Sequence, residues 1–125
     1  LSTGKRTLPP FEIVQPTLLT SSFVSNPVSV QRLDRVGLEI IVTGTPTGTV
    51  TVQGSIDYVP PTVQISPSVS PATWFDIPLD LDALTGGPQT YVIDMVTTAI
   101  PWLRISYTFT SGTGSMTAVI VAKES

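Results

Sequence analysis

The chain has no cysteine and no histidine. Without thiols there is no disulfide framework, thiolate metal site, redox motif or cysteine nucleophile. Without imidazole, the usual zinc ligand sets, the Ser-His-Asp triad and the commonest general base near neutral pH are excluded as well. Charge is scarce: Asp, Glu, Lys and Arg make up 12% of the residues, against an average of about 25% for soluble domains. Six basic residues, spread along a chain of net charge −3, form no basic stripe that would neutralise phosphates, so nucleic acid is not an expected partner. No apolar run approaches the ~18 residues of a spanning helix, and the longest tidy one, Ala118 to Ala122, is of strand length, so no membrane span is expected. The opening LSTGKR lacks the apolar segment of a signal peptide, and Leu1 stands where an initiator Met is expected, which fits processing or a chosen chain boundary.

What is present is 125 residues, the length of one ordinary domain, with 41% apolar residues, 19 threonines and 13 serines. Small soluble proteins normally rely on mixed surface charge, so a Thr/Ser surface this poor in charge implies that neighbouring molecules cover much of it. A monomer with a neutral polar surface is the alternative.

Residues 1–16 hold Pro9, Pro10 and Pro16. Proline fixes φ and removes a donor, so the stretch reads as an extended N-terminal arm lying outside any sheet, with Phe11, Ile13 and Val14 available to dock. Residues 17–125 read as the folded domain. Two short strands, near Leu18 to Val24 and Val28 to Gln31, flank the Asn26-Pro27 turn signal. Val36, Leu38, Ile40 and Val42 then alternate with their neighbours as a half-buried strand requires. Thr43 to Thr49, TGTPTGT, reads as the turn of a hairpin whose second strand faces Val50, Val52 and Ile56 inward.

Residues 57–73 carry Pro60, Pro61, Pro67 and Pro71 without helical spacing, and a loop of that length is usually functional. Trp74 to Leu79 reads as a short strand, and Asp82 to Pro88 as a loop with one helical turn. Tyr91, Ile93 and Met95 mark a further strand, and Leu103, Ile105, Tyr107 and Phe109 another, which Thr110 to Ser115 turns into a returning strand Ser115 to Lys123. That last strand is apolar on both faces, so both faces are expected to be covered, by the arm or by another subunit. The sum of these signals is an all-β, single-domain β-sandwich, jelly-roll or Greek-key like, with an extended arm. The segments LEIIVTGTPTGTVTV and LRISYTFTSGTGSMTAV also share a pattern at an offset of 65 residues, which convergence of turn-rich strands explains as readily as duplication.

No group of residues announces chemistry. The carboxylates sit in no recognisable catalytic setting, and no enzyme activity is expected. Asp76, Asp80 and Asp82 place oxygen ligands near one loop, but Pro78 and Leu81 interrupt it, so solvated acids are preferred to a Ca²⁺ site and no metal or cofactor is expected. GTPTG and SGTG lack the Lys-Ser/Thr and helix of a phosphate loop. The aromatic residues are the candidates for contact: Trp102 opens a strand on the face opposite Leu103, Tyr58 beside Pro60 and Pro61 is the likelier exposed ring, and Trp74 is the third. With Phe11, Ile13, Val14, Pro60 and Pro61 they make up the expected interface set.

The stretch WLRISYTFTSGTGSMTAVIVAK, with the upstream VTGTPTGTVTVQGSIDYV and the intervening WFDIPL, resembles a pattern recurrent in small virion proteins of tailed bacteriophages. The matching residues are Val52, Gln53, Ser55, Asp57, Trp74, Trp102, Arg104, Tyr107, Thr108 and Ser111 to Gly114, within residues 36–123. The arm and the Pro-rich stretch depart from it. The resemblance implies a capsid decoration or cement protein, a homodimer or homotrimer whose partners are the major capsid protein or other virion proteins, placed on the capsid surface. A tail, baseplate or head-spike component is the nearest alternative, and a carbohydrate-binding module is the alternative of another class.

Overall fold

The computed structural model describes residues 7–30, 33–58, 73–79, 81–96 and 100–123. Every regular element among them is a β-strand: β1 (Thr7–Leu18), β2 (Phe23–Val24), β3 (Val28–Ser29), β4 (Arg35–Gly44), β5 (Thr47–Ser55), β6 (Phe75–Asp76), β7 (Leu84–Thr85), β8 (Gln89–Val96), β9 (Trp102–Ser111) and β10 (Gly114–Lys123). They form two antiparallel sheets. The first has the order β1-β10-β4-β8; in the second, β9 and β5 are central, with β2 and β3 on the free side of β9 and β6 and β7 on the free side of β5. Except for the step from β5 to β6 and β7, each advance along the chain between these strand groups changes sheet. This is the winding of a jelly-roll β-sandwich.

Period-two alternation builds the core. Val36, Leu38, Ile40 and Val42 of β4, Ile93 of β8, and Met116, Ala118 and Ile120 of β10 face Val50 and Val52 of β5 and Leu103, Ile105 and Tyr107 of β9, all buried. Each large apolar side chain so enclosed contributes about 1.5–3 kcal/mol. Tyr107 keeps its hydroxyl satisfied by donating to the Thr47 carbonyl at 3.4 Å, and Tyr91 donates to the Asp82 carbonyl. Burial pushes both phenols above their ordinary pKa, with Asp82 adding to the shift at Tyr91.

The two turns read from sequence as hairpins are not hairpins. β4 pairs with β10 and β8, β5 pairs with β9, and the Thr43 to Thr49 segment carries the chain from one sheet to the other. Thr110 to Ser115 carries it back. The two corners lie against each other: Gly44 opposes Gly114, the Thr45 amide donates to the Thr113 carbonyl at 2.8 Å, and Thr47 opposes Ser111. A Cβ on Gly114 would lie 2.2 Å from the Thr43 carbonyl oxygen, so the approach requires glycine. Ile56, expected inward, is 68% exposed because β5 ends at Ser55.

The N-terminal segment also differs from the expectation. It is extended, but from Thr7 it is the edge strand β1, paired to β10, rather than an arm outside the sheet. The prolines are accommodated where the ladder is interrupted: register shifts fall between Leu8 and Phe11, spanning Pro9 and Pro10, and between Val14 and Thr17, spanning Pro16. Residues 82–88 contain β7 and no helical turn, and Leu84 is buried at 2% exposure.

Candidate functional site

On the outer face of the second sheet, alternation places Trp102 and Arg104 of β9 on the same side as Ser55 and Gln53 of β5, and the register pairs Ser55 with Trp102 and Gln53 with Arg104. Arg104 Nε donates to Gln53 Oε1 at 2.8 Å, and Gln53 Nε2 donates to Asp76 Oδ1 at 2.9 Å. The Arg104 guanidinium lies over the Trp74 ring, 4.2 Å from its centroid, a cation–π contact. Partial burial lowers the Arg104 pKa from its ordinary value. Tyr58 fills the remaining corner, with its ring centroid 5.5 Å from Trp74 and 4.9 Å from Trp102, the latter nearly edge-on at 69°.

Beside this cluster, the exposed Asp57 joins two distant parts of the chain. Its Oδ1 accepts from Ser55 Oγ at 3.0 Å and from the Thr73 amide at 2.9 Å. The Thr73 bond, the larger cause, and the Ser55 bond hold the Asp57 carboxyl below its ordinary 3.8. A group depressed in the folded state stabilises above its unfolded pKa and loses that contribution as pH falls through the folded value. The melting-temperature gap between the native chain and Asp57→Ala is therefore expected at pH 6 and should close as pH drops below 3.8, which a pH series of thermal melts measures.

Trp74, Tyr58 and Trp102, weighed one by one in the sequence, form one cluster. It fastens residues 57–58 to residues 73–74. Among the described residues, the ring contacts of this half-buried cluster are with one another and with Arg104, so the rings pack together rather than in a row of open faces. Arg104, Gln53 and Asp76 were not singled out as contact residues. The same-face spacing of Trp102 and Arg104 was a usable signal for them, but the β5–β9 pairing that completes the group was not. Pro60 and Pro61 lie outside the described residues. Ile13 and Val14 do dock, on this chain's own core, at 7% and 3% exposure, while Phe11 is half exposed. Phe11 lines a cleft of about 400 Å³ between β1 and the Phe23 to Pro27 segment.

A second surface lies on the outer face of the first sheet. One cross-strand row holds Lys123, Arg35 and Val96; the next outward row holds Val121, Gly37 and Asp94; the third holds Glu12, Val119, Glu39 and Val92. Val92 is 79% and Val96 65% exposed, and Ile41, one row further, is 39% exposed. Arg35 Nη2 bridges diagonally to Asp94 Oδ2 at 3.1 Å. Gly37 has no side chain, and a pocket of about 410 Å³ opens beside it, lined by Pro10, Arg35, Asp94, Val121 and Lys123. The apolar second face of β10 is thus flanked edgewise by β1 rather than covered by it. Among the described residues, no three Asp or Glu side chains converge to hold a metal ion. Comparison with protein-family models, curated proteins and solved structures found no match to this chain.

Proposed function

We propose that this chain is a structural protein that assembles on the surface of a particle, a virion protein of the capsid decoration or cement kind, working as a homo-oligomer with the shell protein as its partner. The observation that carries the reading is the outer face of the first sheet, where Ile41, Val92, Val96 and Val121 stand exposed among the charged side chains of Arg35, Glu39, Asp94 and Lys123. Exposed apolar side chains gathered on one sheet face among polar ones mark an interaction site. The jelly-roll winding and the resemblance of residues 36–123 to small phage virion proteins support the same reading. The mechanism is mechanical: many modest contacts, repeated across linked copies, add as avidity and hold the shell.

Density-gradient fractionation of the native source lysate, read by peptide mass spectrometry, tests it. The chain is expected to travel in high copy with large particles and to be removed by mild denaturant while the shell survives. Migration with tails alone would move the proposal to a tail or baseplate component, and recovery only as a small soluble species would overturn it. The Tyr58, Trp74, Trp102, Arg104 cluster favours a second reading, a carbohydrate-binding module, because aromatic rings beside Gln53 and Asp76 combine stacking with hydrogen-bonding groups. Tryptophan quenching by oligosaccharides would support it; the packing of Tyr58 against both tryptophan rings weighs against it.

A further inference from the structure

We infer that the outer face of the first sheet binds a second copy of this chain, face to face, about a twofold axis that runs across the strands at the level of Gly37 and Val121. The inference deepens the homo-oligomer part of the proposed function, but its argument is the charge pattern of the face and needs no particle. The row holding Arg35 and Lys123 lies two residues from Gly37 and Val121 along the strands, and the row holding Glu39 and Glu12 lies two residues away on the other side. A twofold axis across the strands through the middle row exchanges those rows. Each copy's basic row then stands over its partner's acidic row.

In that arrangement Arg35 faces Glu39 of the second copy, Lys123 stands between its Glu39 and Glu12, and Val96 meets its Val92. Asp94 meets its own copy on the axis with the two Arg35 guanidinium groups beside it, extending the bridge already made within each chain. Other placements do worse. An axis parallel to the strands sets basic row against basic row and acidic row against acidic row, and like charges directly opposed are destabilising. Aligned sheet-on-sheet packing is the ordinary geometry for such a contact. Five residues of overlap on four strands, at ~3.4 Å per residue and ~4.8 Å between strands, give a footprint of roughly 17 by 19 Å. That is small beside the ~800 Å² per partner of a standard interface, so a weak, transient association is expected.

Sedimentation velocity of the full chain over a concentration series tests the inference. Reversible dimers are expected, weaker at about 0.5 M than at about 0.05 M salt because the pairs lie at the rim of a small interface. Glu39→Arg removes two opposite-charge pairs and creates two like-charge ones, and is expected to weaken the dimer about tenfold or more. The charge swap Glu39→Arg with Arg35→Glu, made together with Asp94→Asn so that the new carboxylate meets no like charge on the axis, restores opposite charges across the axis and is expected to recover part of that loss. Circular dichroism of both variants checks that these exposed positions leave the fold intact. A monomer at every concentration, or a dimer indifferent to salt and to Glu39→Arg, would overturn the inference, as would a swap no tighter than the single variant. Loss of the particle association in the gradient experiment would leave this result standing, so the two proposals fail separately.

Discussion

Gly112→Ala is expected to destabilise the fold by about 3 kcal/mol or more, and to lower the melting temperature by on the order of 10 °C. Two effects add. Gly112 has φ of 87°, in the left-handed region where an L-residue costs roughly 1–2 kcal/mol. A Cβ placed there would stand 2.2 Å from the Thr45 carbonyl oxygen and 3.0 Å from Pro46 Cα, both backbone atoms that cannot rotate aside. Relief would require separating the two stacked corners, which breaks the bond between the Thr45 amide and the Thr113 carbonyl. Gly87→Ala is the comparison, since a methyl there meets nothing within 4 Å. Chemical denaturation of the two variants should differ by most of the Gly112 effect; equal, small losses would show that the corners do not need to touch.

Ile120→Ala should cost about 3–4 kcal/mol, the range for emptying a fully enclosed aliphatic position. Ile120 is 0% exposed on β10, the strand between β1 and β4, so the cavity opens at the middle of the first sheet with neighbours fixed on both sides. Collapse around it would have to move two paired strands together. Val92→Ala, on the outer face of β8 in the same sheet, removes a side chain that is 79% exposed and should change monomer stability by no more than about 0.5 kcal/mol. Denaturant midpoints of the pair, measured at dilution, check the contrast. Similar losses at both positions would mean that the outer face is covered in the isolated chain.

The strands themselves were legible because alternation is written locally: Val36 to Val42 and Leu103 to Tyr107 show their inner faces without reference to anything else. What alternation cannot express is which strand lies beside which. The chemistry of TGTPTGT and SGTG suits any sharp reversal, and nothing in either segment says whether the chain returns within its own sheet or crosses to the facing one. That information resides in pairings between residues far apart in sequence, such as Ile40 with Ala118 and Val52 with Ile105. Pro9, Pro10 and Pro16 misled for a similar reason, since a proline is excluded from a ladder only where a partner needs its missing donor, and an interrupted edge strand does not. The candidate contact residues were legible in type but not in company. Gln53, Ser55, Asp57, Trp74, Trp102 and Arg104 were grouped by resemblance alone; the fold gives them a physical reason to belong together, because they tie one pair of chain segments to one patch of sheet.

The position of β10 between β1 and β4 governs when the molecule can fold. Its first sheet has a gap at its centre until Lys123 has been made, and β1, made well before β10, has no partner in this sheet until then. A chain emerging from the ribosome therefore carries β1 and one side of β4 as unfinished edges until β10 has been made, and closure of this sheet waits for that strand. Nearly all of its pairings are non-local, the class that folds on the millisecond-to-second scale and is open to intermolecular strand pairing while it waits. The interruptions that let proline into β1 then have a second use, since an edge broken at Pro9, Pro10 and Pro16 is a poor template for another nascent chain.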